Sequence, residues 1–264
     1  MTGIILVHGA WYGGWIWHRL SPILRDMGYT VIDGDLPGIG LPQAEKEQVT
    51  MHDQLDQMNL WAGKITGPVH LVGHGMSARI VTEFAERCTE QVASVTYISS
   101  LFGAPGEAAI TMPFAREPDS RIKFTTEGEL VPVTAEDVAE LAFSDCTPAD
   151  FKVFAEKMER ISWDPPMIPL ENPTGHWQRI QRAYIICREN PFVFQAQQHQ
   201  MALRHKCDPV IKMNTGHCPF LTQPQKTAEH IDDIIRRVDA QSDEETTRGA
   251  EQCPPDQRKP DITP

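Results

Sequence analysis

Where a strand, a tight turn and a helix should meet, the chain carries Gly73-His74-Gly75-Met76-Ser77. The preceding Val69-His70-Leu71-Val72 reads as a buried strand, and a helical pattern follows. This is the setting of a G-x-S-x-G nucleophile elbow, whose central serine sits on a strained turn and attacks a carbonyl. Here the central residue is Gly75, so a scaffold for acyl transfer is present without its attacking oxygen. Strain of this kind costs a non-glycine residue about 1–3 kcal/mol, and glycine relieves it. Gly75 alone therefore fits a decayed enzyme as well as a repurposed one, and an engineered Ser-to-Gly change is a third source. Ser77 matches the small last position of the motif, where it lets the helix pack closely. His74 fills the variable position and packs beneath the turn.

Three further stations bear on the chemistry. His8-Gly9-Ala10-Trp11-Tyr12 follows the first strand, where an oxyanion hole draws a backbone donor. The N–H groups of Ala10 and Met76 are the candidate donors, with Gly9, Trp11 and Tyr12 beside them as candidate substrate contacts. Cys187-Arg188-Glu189-Asn190-Pro191 ends the fifth strand, where a triad acid belongs; Asn190 takes that place, with Glu189 as the alternative partner of the base. Gly216-His217-Cys218-Pro219 follows the last strand and offers His217 as the base. No acyl-enzyme can form without a hydroxyl at position 75. Turning a triad aspartate into its amide costs about 10⁴ in turnover in the serine-protease case, so ester hydrolysis by a triad is disfavoured twice. An engineered change at position 75 would leave Asn190 unexplained.

The backbone donors do not depend on those side chains, and one such donor is typically worth about 2.7–4 kcal/mol. Asn190 can orient His217 without raising its basicity, because an amide carries no charge. A weakly basic imidazole suits proton delivery to an enolate better than activation of an alcohol. His18 and His70 read as surface or core residues. No histidine and carboxylate group has metal-ligand spacing, and Asp33 and Asp35 flank a turn, so no metal and no other cofactor is expected.

Positioning these stations requires strands that end at one edge. Gly3 to Val7, Tyr29 to Ile32, Val69 into the elbow, Val92 to Ile98, Arg182 to Cys187 and Pro209 to Met213 read as strands. Helical patterns lie between them at Trp15 to Met27, Met51 to Lys64, after the elbow, and at Val193 to Leu203; Pro224 to Val238 closes the fold. Alternation of this kind specifies an α/β fold with a mostly parallel sheet of about six strands. Residues 1–103 and 179–239 form the expected core. Between 104 and 178 the alternation gives way to short helices and proline-rich connectors, an insertion read as a lid over the sheet's C-terminal edge. Residues 240–264 are polar and proline-rich and read as a disordered tail or extended arm. Trp11, Tyr12, Trp15, Trp17, Met112, Met158 and Met167 suit either an apolar substrate or core packing.

A chain of 264 residues with 41% hydrophobic and 23% charged residues is ordinary for a globular protein. Its net charge of −12 argues against nucleic acid or an anionic membrane as partner, since both need a basic face. No run of 18 apolar residues is present, so no membrane helix is expected. Met1-Thr2-Gly3 leads straight into a strand, leaving no room for a signal peptide, and the six cysteines show no paired spacing. The expected setting is cytoplasmic, with a small-molecule substrate as partner and a homodimer left open.

Up to about Val238 the chain resembles the plant methylesterase, hydroxynitrile lyase and methylketone synthase branch of the α/β-hydrolases. The resemblance is carried by Val7-His8-Gly9-Ala10-Trp11-Tyr12-Gly13-Gly14-Trp15-Ile16-Trp17, by Asp145-Cys146-Thr147-Pro148-Ala149-Asp150, and by Gly216-His217 followed by Gln223-Pro224. It implies the α/β-hydrolase fold, and the branch contains hydrolases and lyases alike. The family serine falls on Gly75 and the family aspartate on Asn190, while His217 remains. Methylketone synthase, a β-keto-acid decarboxylase, is similar in both departures. That enzyme and hydroxynitrile lyase carry a threonine that aligns with Gly9, so substrate anchoring must differ here. The implied activity is a cofactor-free lyase or cyclase step through an enolate, of the β-keto-acid decarboxylation type, on an apolar small molecule, polyketide-like substrates included. The alternatives are a methylesterase-type hydrolase inactivated at Gly75, and a catalytically dead small-molecule binding protein.

Overall fold

A computed structural model describes residues 2–46, 48–88, 90–102, 135–158 and 175–251. The first half of the chain runs β1 (Gly3–Val7), α1 (Ser21–Asp26), β2 (Thr30–Ile32), α2 (Gln43–Lys46), α3 (Met51–Ala62), β3 (Val69–His74), α4 (Ala78–Arg87) and β4 (Val92–Ile98). It continues with α5 (Ala135–Ala142), α6 (Pro148–Glu156), β5 (Gln181–Cys187), α7 (Gln195–Arg204), β6 (Val210–Met213), α8 (Pro219–Thr222) and α9 (Pro224–Glu251). The six strands form one all-parallel sheet in the order β2-β1-β3-β4-β5-β6.

The continuous apolar runs are explained by burial on both faces. Ile5, Val7, Leu71 and Tyr97 face Leu55, Met58 and Trp61 of α3 and Phe84 of α4. Their neighbours Ile4, Leu6, Val72 and Ile185 point the other way, toward Leu24 of α1, Ile231 and Ile234 of α9, and Phe143 and Phe154 of the 135–158 segment. This period of two is the strand signature.

Register sets the site. Val7 pairs with Gly73, His74 with Ile98, Ile98 with Ile185, and Cys187 with Met213. The C-terminal ends of β1, β3, β4, β5 and β6 are thus brought to one edge, from which the segments holding Ala10, Gly75, Asn190 and His217 all leave.

Several expected boundaries shift. The helix expected over Trp15 to Met27 is split into a 3-10 turn at Gly14–Trp17 and α1. Pro22 lacks an N–H and is accommodated only in the first turn of a helix, so the helix restarts around it. The closing helix, expected to end at Val238, runs on to Glu251, because no proline interrupts the chain before Pro254. Residues 252–264 of the expected tail lie outside the described residues, as do Met112, Met167 and most of the expected lid. Of that insertion, α5 and α6 match two of the helical patterns, and α6 stops at Glu156 rather than Ile161. Among the described residues no helix is long and apolar enough to cross a membrane.

Candidate active site

β3 enters the turn at Gly75, whose φ of +58° lies in the left-handed region that favours glycine. A Cβ placed on Gly75 would lie 3.7 Å from Nε2 of His217. Space for a side chain therefore exists, and it faces the imidazole. Ser77 is turned away from that space. Its hydroxyl lies 2.7 Å from the Val7 carbonyl, to which it donates, and accepts from the His74 N–H at 2.9 Å, tying the end of β1 to the end of β3.

Asn190 is buried and fixed on every side. Its Oδ1 accepts from the N–H groups of Phe192 at 2.9 Å and Val193 at 3.1 Å. Its Nδ2 therefore points the other way, to Nδ1 of His217 at 3.1 Å, with Ser99 Oγ at 3.4 Å. An amide nitrogen only donates, so Nδ1 of His217 must accept, and the neutral ring carries its proton on Nε2. Burial, and after it the neighbouring His74, hold the His217 pKa well below the ordinary value. His217 thus presents an N–H, not a lone pair, to the space above Gly75. Asn190, not Glu189, makes this contact.

The surroundings keep that imidazole in place. His74 Nε2 lies 3.1 Å from the His217 carbonyl, which can only accept, so His74 also carries its proton on Nε2. Its Nδ1 is buried with no partner among the described residues, and burial lowers its pKa to about 3. His8 accepts from the Leu36 N–H at Nε2 and donates from Nδ1 to the Gly9 carbonyl, both at 3.0 Å; burial lowers its pKa to about 4. This bond holds the turn that carries Ala10. Neither the Ala10 nor the Met76 N–H donates to another described residue. Met76 opens the first helical turn after β3, where N–H groups have no intrahelical partner.

A Cβ on Gly9 would lie 3.2 Å from the Tyr12 ring and 3.2 Å from the His74 carbonyl, so Tyr12 and His74 close off the side toward which a side chain at position 9 would project. Tyr12 is buried, tilted over His74 at 5.6 Å. Trp11 stands edge-on to Phe192 at 6.3 Å, and Phe192 lies 5.0 Å from the His217 ring. Phe192 was not singled out from sequence, although its place two residues beyond Asn190 is a usable signal. Cys218 is fully buried, and burial pushes its thiol well above the usual range, so it is no substitute nucleophile. Asp35 accepts from the Gly14 N–H at 2.6 Å, a structural task. Among the described residues no group of three or more His, Cys, Asp or Glu could hold a metal.

One further residue reaches the site from the 135–158 segment. Asp145 Oδ2 accepts from the Gly216 N–H at 2.7 Å and from the Thr222 hydroxyl at 3.0 Å. A Cβ at position 216 would collide with the Asp145 carboxylate, which explains the glycine before His217.

The arrangement holds a neutral imidazole N–H and two backbone N–H groups at one sheet edge, with an apolar wall of Trp11 and Phe192. Among the described residues it offers no nucleophile and no ring nitrogen free to take a proton toward Gly75. Such a set of donors suits a developing oxyanion.

Known proteins place this geometry in context. The chain is 24% identical over 239 residues to the Arabidopsis thaliana protein named as a methylesterase (methylesterase 15, chloroplastic), covering 84% of this chain and 54% of that one. It thus spans about half the length of that relative. In structure it is similar to a pyrethroid hydrolase from Sphingobium faniae JZ-2, with TM-score 0.75 and 24% identity over 92% of this chain and 99% of the other. It is also similar to a variant of tomato methylketone synthase I complexed with beta-ketoheptanoate, with TM-score 0.70 and 18% identity over 90% and 98% of the two chains. At these identities the structural likeness is one of fold. The model of the "Alpha/beta hydrolase family" matches residues 4–230, so the chain belongs to the alpha/beta hydrolase family.

Proposed function

We propose that this protein uses the α/β-hydrolase scaffold for a cofactor-free lyase or cyclase step through an enolate, with β-keto-acid decarboxylation as the leading case. The observation that carries the reading is the Asn190–His217 bond, which turns the family's general base into a hydrogen-bond donor. In the decarboxylation, the bond between the α-carbon and the carboxylate breaks and its electron pair moves through the carbon to the β-carbonyl oxygen. Carbon dioxide leaves, and the enolate oxygen takes hydrogen bonds from Ala10 N–H, Met76 N–H and His217 Nε2–H. Losing the Nε2 proton outright would leave an imidazolate, so the proton that completes the product carbon comes from water. The apolar wall formed by Trp11 and Phe192 supports an apolar small molecule as substrate. A methylketone synthase among the structural relatives agrees with this reading, while the methylesterase-named relative favours hydrolysis. Room for a side chain at Gly75 is the observation that supports an inactivated hydrolase as the second reading.

The test is turnover of medium-chain and aryl β-keto acids in the presence of chelator, comparing the native chain with His217→Ala. Chelator-insensitive acceleration lost with His217 is expected. Equal rates in both proteins would remove His217 from the mechanism, and no acceleration in either would overturn decarboxylation on these substrates.

A further inference from the structure

We infer that Asp145 is a positioning residue for His217, so that the 135–158 segment also sets the hydrogen-bond donor of the site. The inference rests on the reading of His217 as a donor. Three contacts fix this residue. Asn190 holds its Nδ1, His74 holds its carbonyl, and Asp145 holds the N–H of the residue before it. The Asp145 carboxylate also accepts from Thr222, at the end of α8, and so staples both ends of the segment 216–222 that carries His217. Arg19 reinforces the same join. It donates to the Leu221 carbonyl at 2.9 Å and to Asp150 of α6 at 2.6 Å.

The absent Cβ at Gly216 makes the join specific. Any side chain there would displace Asp145, so the two positions are matched to each other. Asp145 lies between α5 and α6, and Phe143 just before it packs against Tyr12, at 6.0 Å between rings. A displacement of this segment would pull on the His217 backbone directly. The Gly216 bond asks only for an acceptor oxygen, so an amide can replace the carboxylate.

The experiment compares Asp145→Asn, Asp145→Ala and the native chain, each labelled with ¹⁵N-histidine, by two-bond ¹H–¹⁵N correlation. Asp145→Asn should keep the native His217 ring signals, and Asp145→Ala should shift or broaden them while His70, remote from the join, is unchanged. Asp145→Leu, which keeps the branched shape but offers no acceptor, replaces Asp145→Ala if the latter does not fold. Native His217 signals in folded Asp145→Ala or Asp145→Leu would overturn the inference. With a β-keto acid that the native chain turns over, the same variants should lower kcat on the order of tenfold to a hundredfold with little change in KM. Failure of every β-keto acid counts against the proposed reaction alone, because the ring signals report on Asp145 without turnover.

Discussion

The amide of Asn190 fixes the direction of one hydrogen bond, and the proposed chemistry of His217 follows from that direction. A carboxylate would accept from Nδ1–H and leave Nε2 as a base; Asn190 donates to Nδ1 and leaves Nε2–H as a donor. Installing a serine alone at position 75 should therefore give little reactivity. We expect Gly75→Ser to react poorly with a fluorophosphonate probe, and Gly75→Ser combined with Asn190→Asp to label at position 75. The rate difference should approach the factor of about 10⁴ that separates acid from amide in the serine-protease triad. Equal labelling of the two variants would show that Asn190 does not govern the imidazole. Gly75, Asn190 and His217 were legible because each follows a strand in a fixed chain order. Phe192 was signalled only by its place two residues beyond Asn190, and Asp145 by nothing, because its relation to His217 exists only once β6 and the 135–158 segment are packed.

Five strand ends at one edge depend on ties between neighbouring strands, and Ser77 supplies the tie between β1 and β3. Its hydroxyl serves the Val7 carbonyl and the His74 N–H, both in the interior. Ser77→Ala leaves these groups unpaired and should destabilise the fold by about 1–3 kcal/mol, read as a lower denaturation midpoint at unchanged slope. Labelling of native Ser77 by a fluorophosphonate would contradict this structural assignment. The sheet itself was legible from apolar runs that need cover on both faces. Pro22 was the visible sign that the first helix restarts, and the weight of the tryptophans around it hid that sign. The length of α9 was hidden for the opposite reason. Its last turns carry no apolar periodicity, and helix propagation needs only the absence of an interruption.

At the scale of the whole molecule, the sheet edge encloses three of the described histidines as neutral rings: His8 with a pKa lowered to about 4, His74 to about 3, and His217 well below its ordinary value. The unfolded chain binds these protons near pH 6.5 and the folded chain does not, so stability is full above pH 6.5 and falls as pH drops toward the folded values. Three such groups give a slope of about 4 kcal/mol per pH unit between about pH 6 and 5. A melting temperature that stays level from pH 7 to pH 5 would contradict their burial, and His74→Gln should flatten the fall. The parallel sheet was legible at this scale as well. The enclosed histidine cluster was not, since His8, His74 and His217 lie far apart in the chain and meet only at the sheet edge. The central claim concerns where one proton sits. Two-bond ¹H–¹⁵N correlation of the ¹⁵N-histidine-labelled native chain at pH 7, with His217 assigned by its loss in His217→Ala, reads that position directly. The account predicts a protonated Nε2 and an unprotonated Nδ1, exchanged in Asn190→Asp; a protonated Nδ1 in the native chain would contradict it.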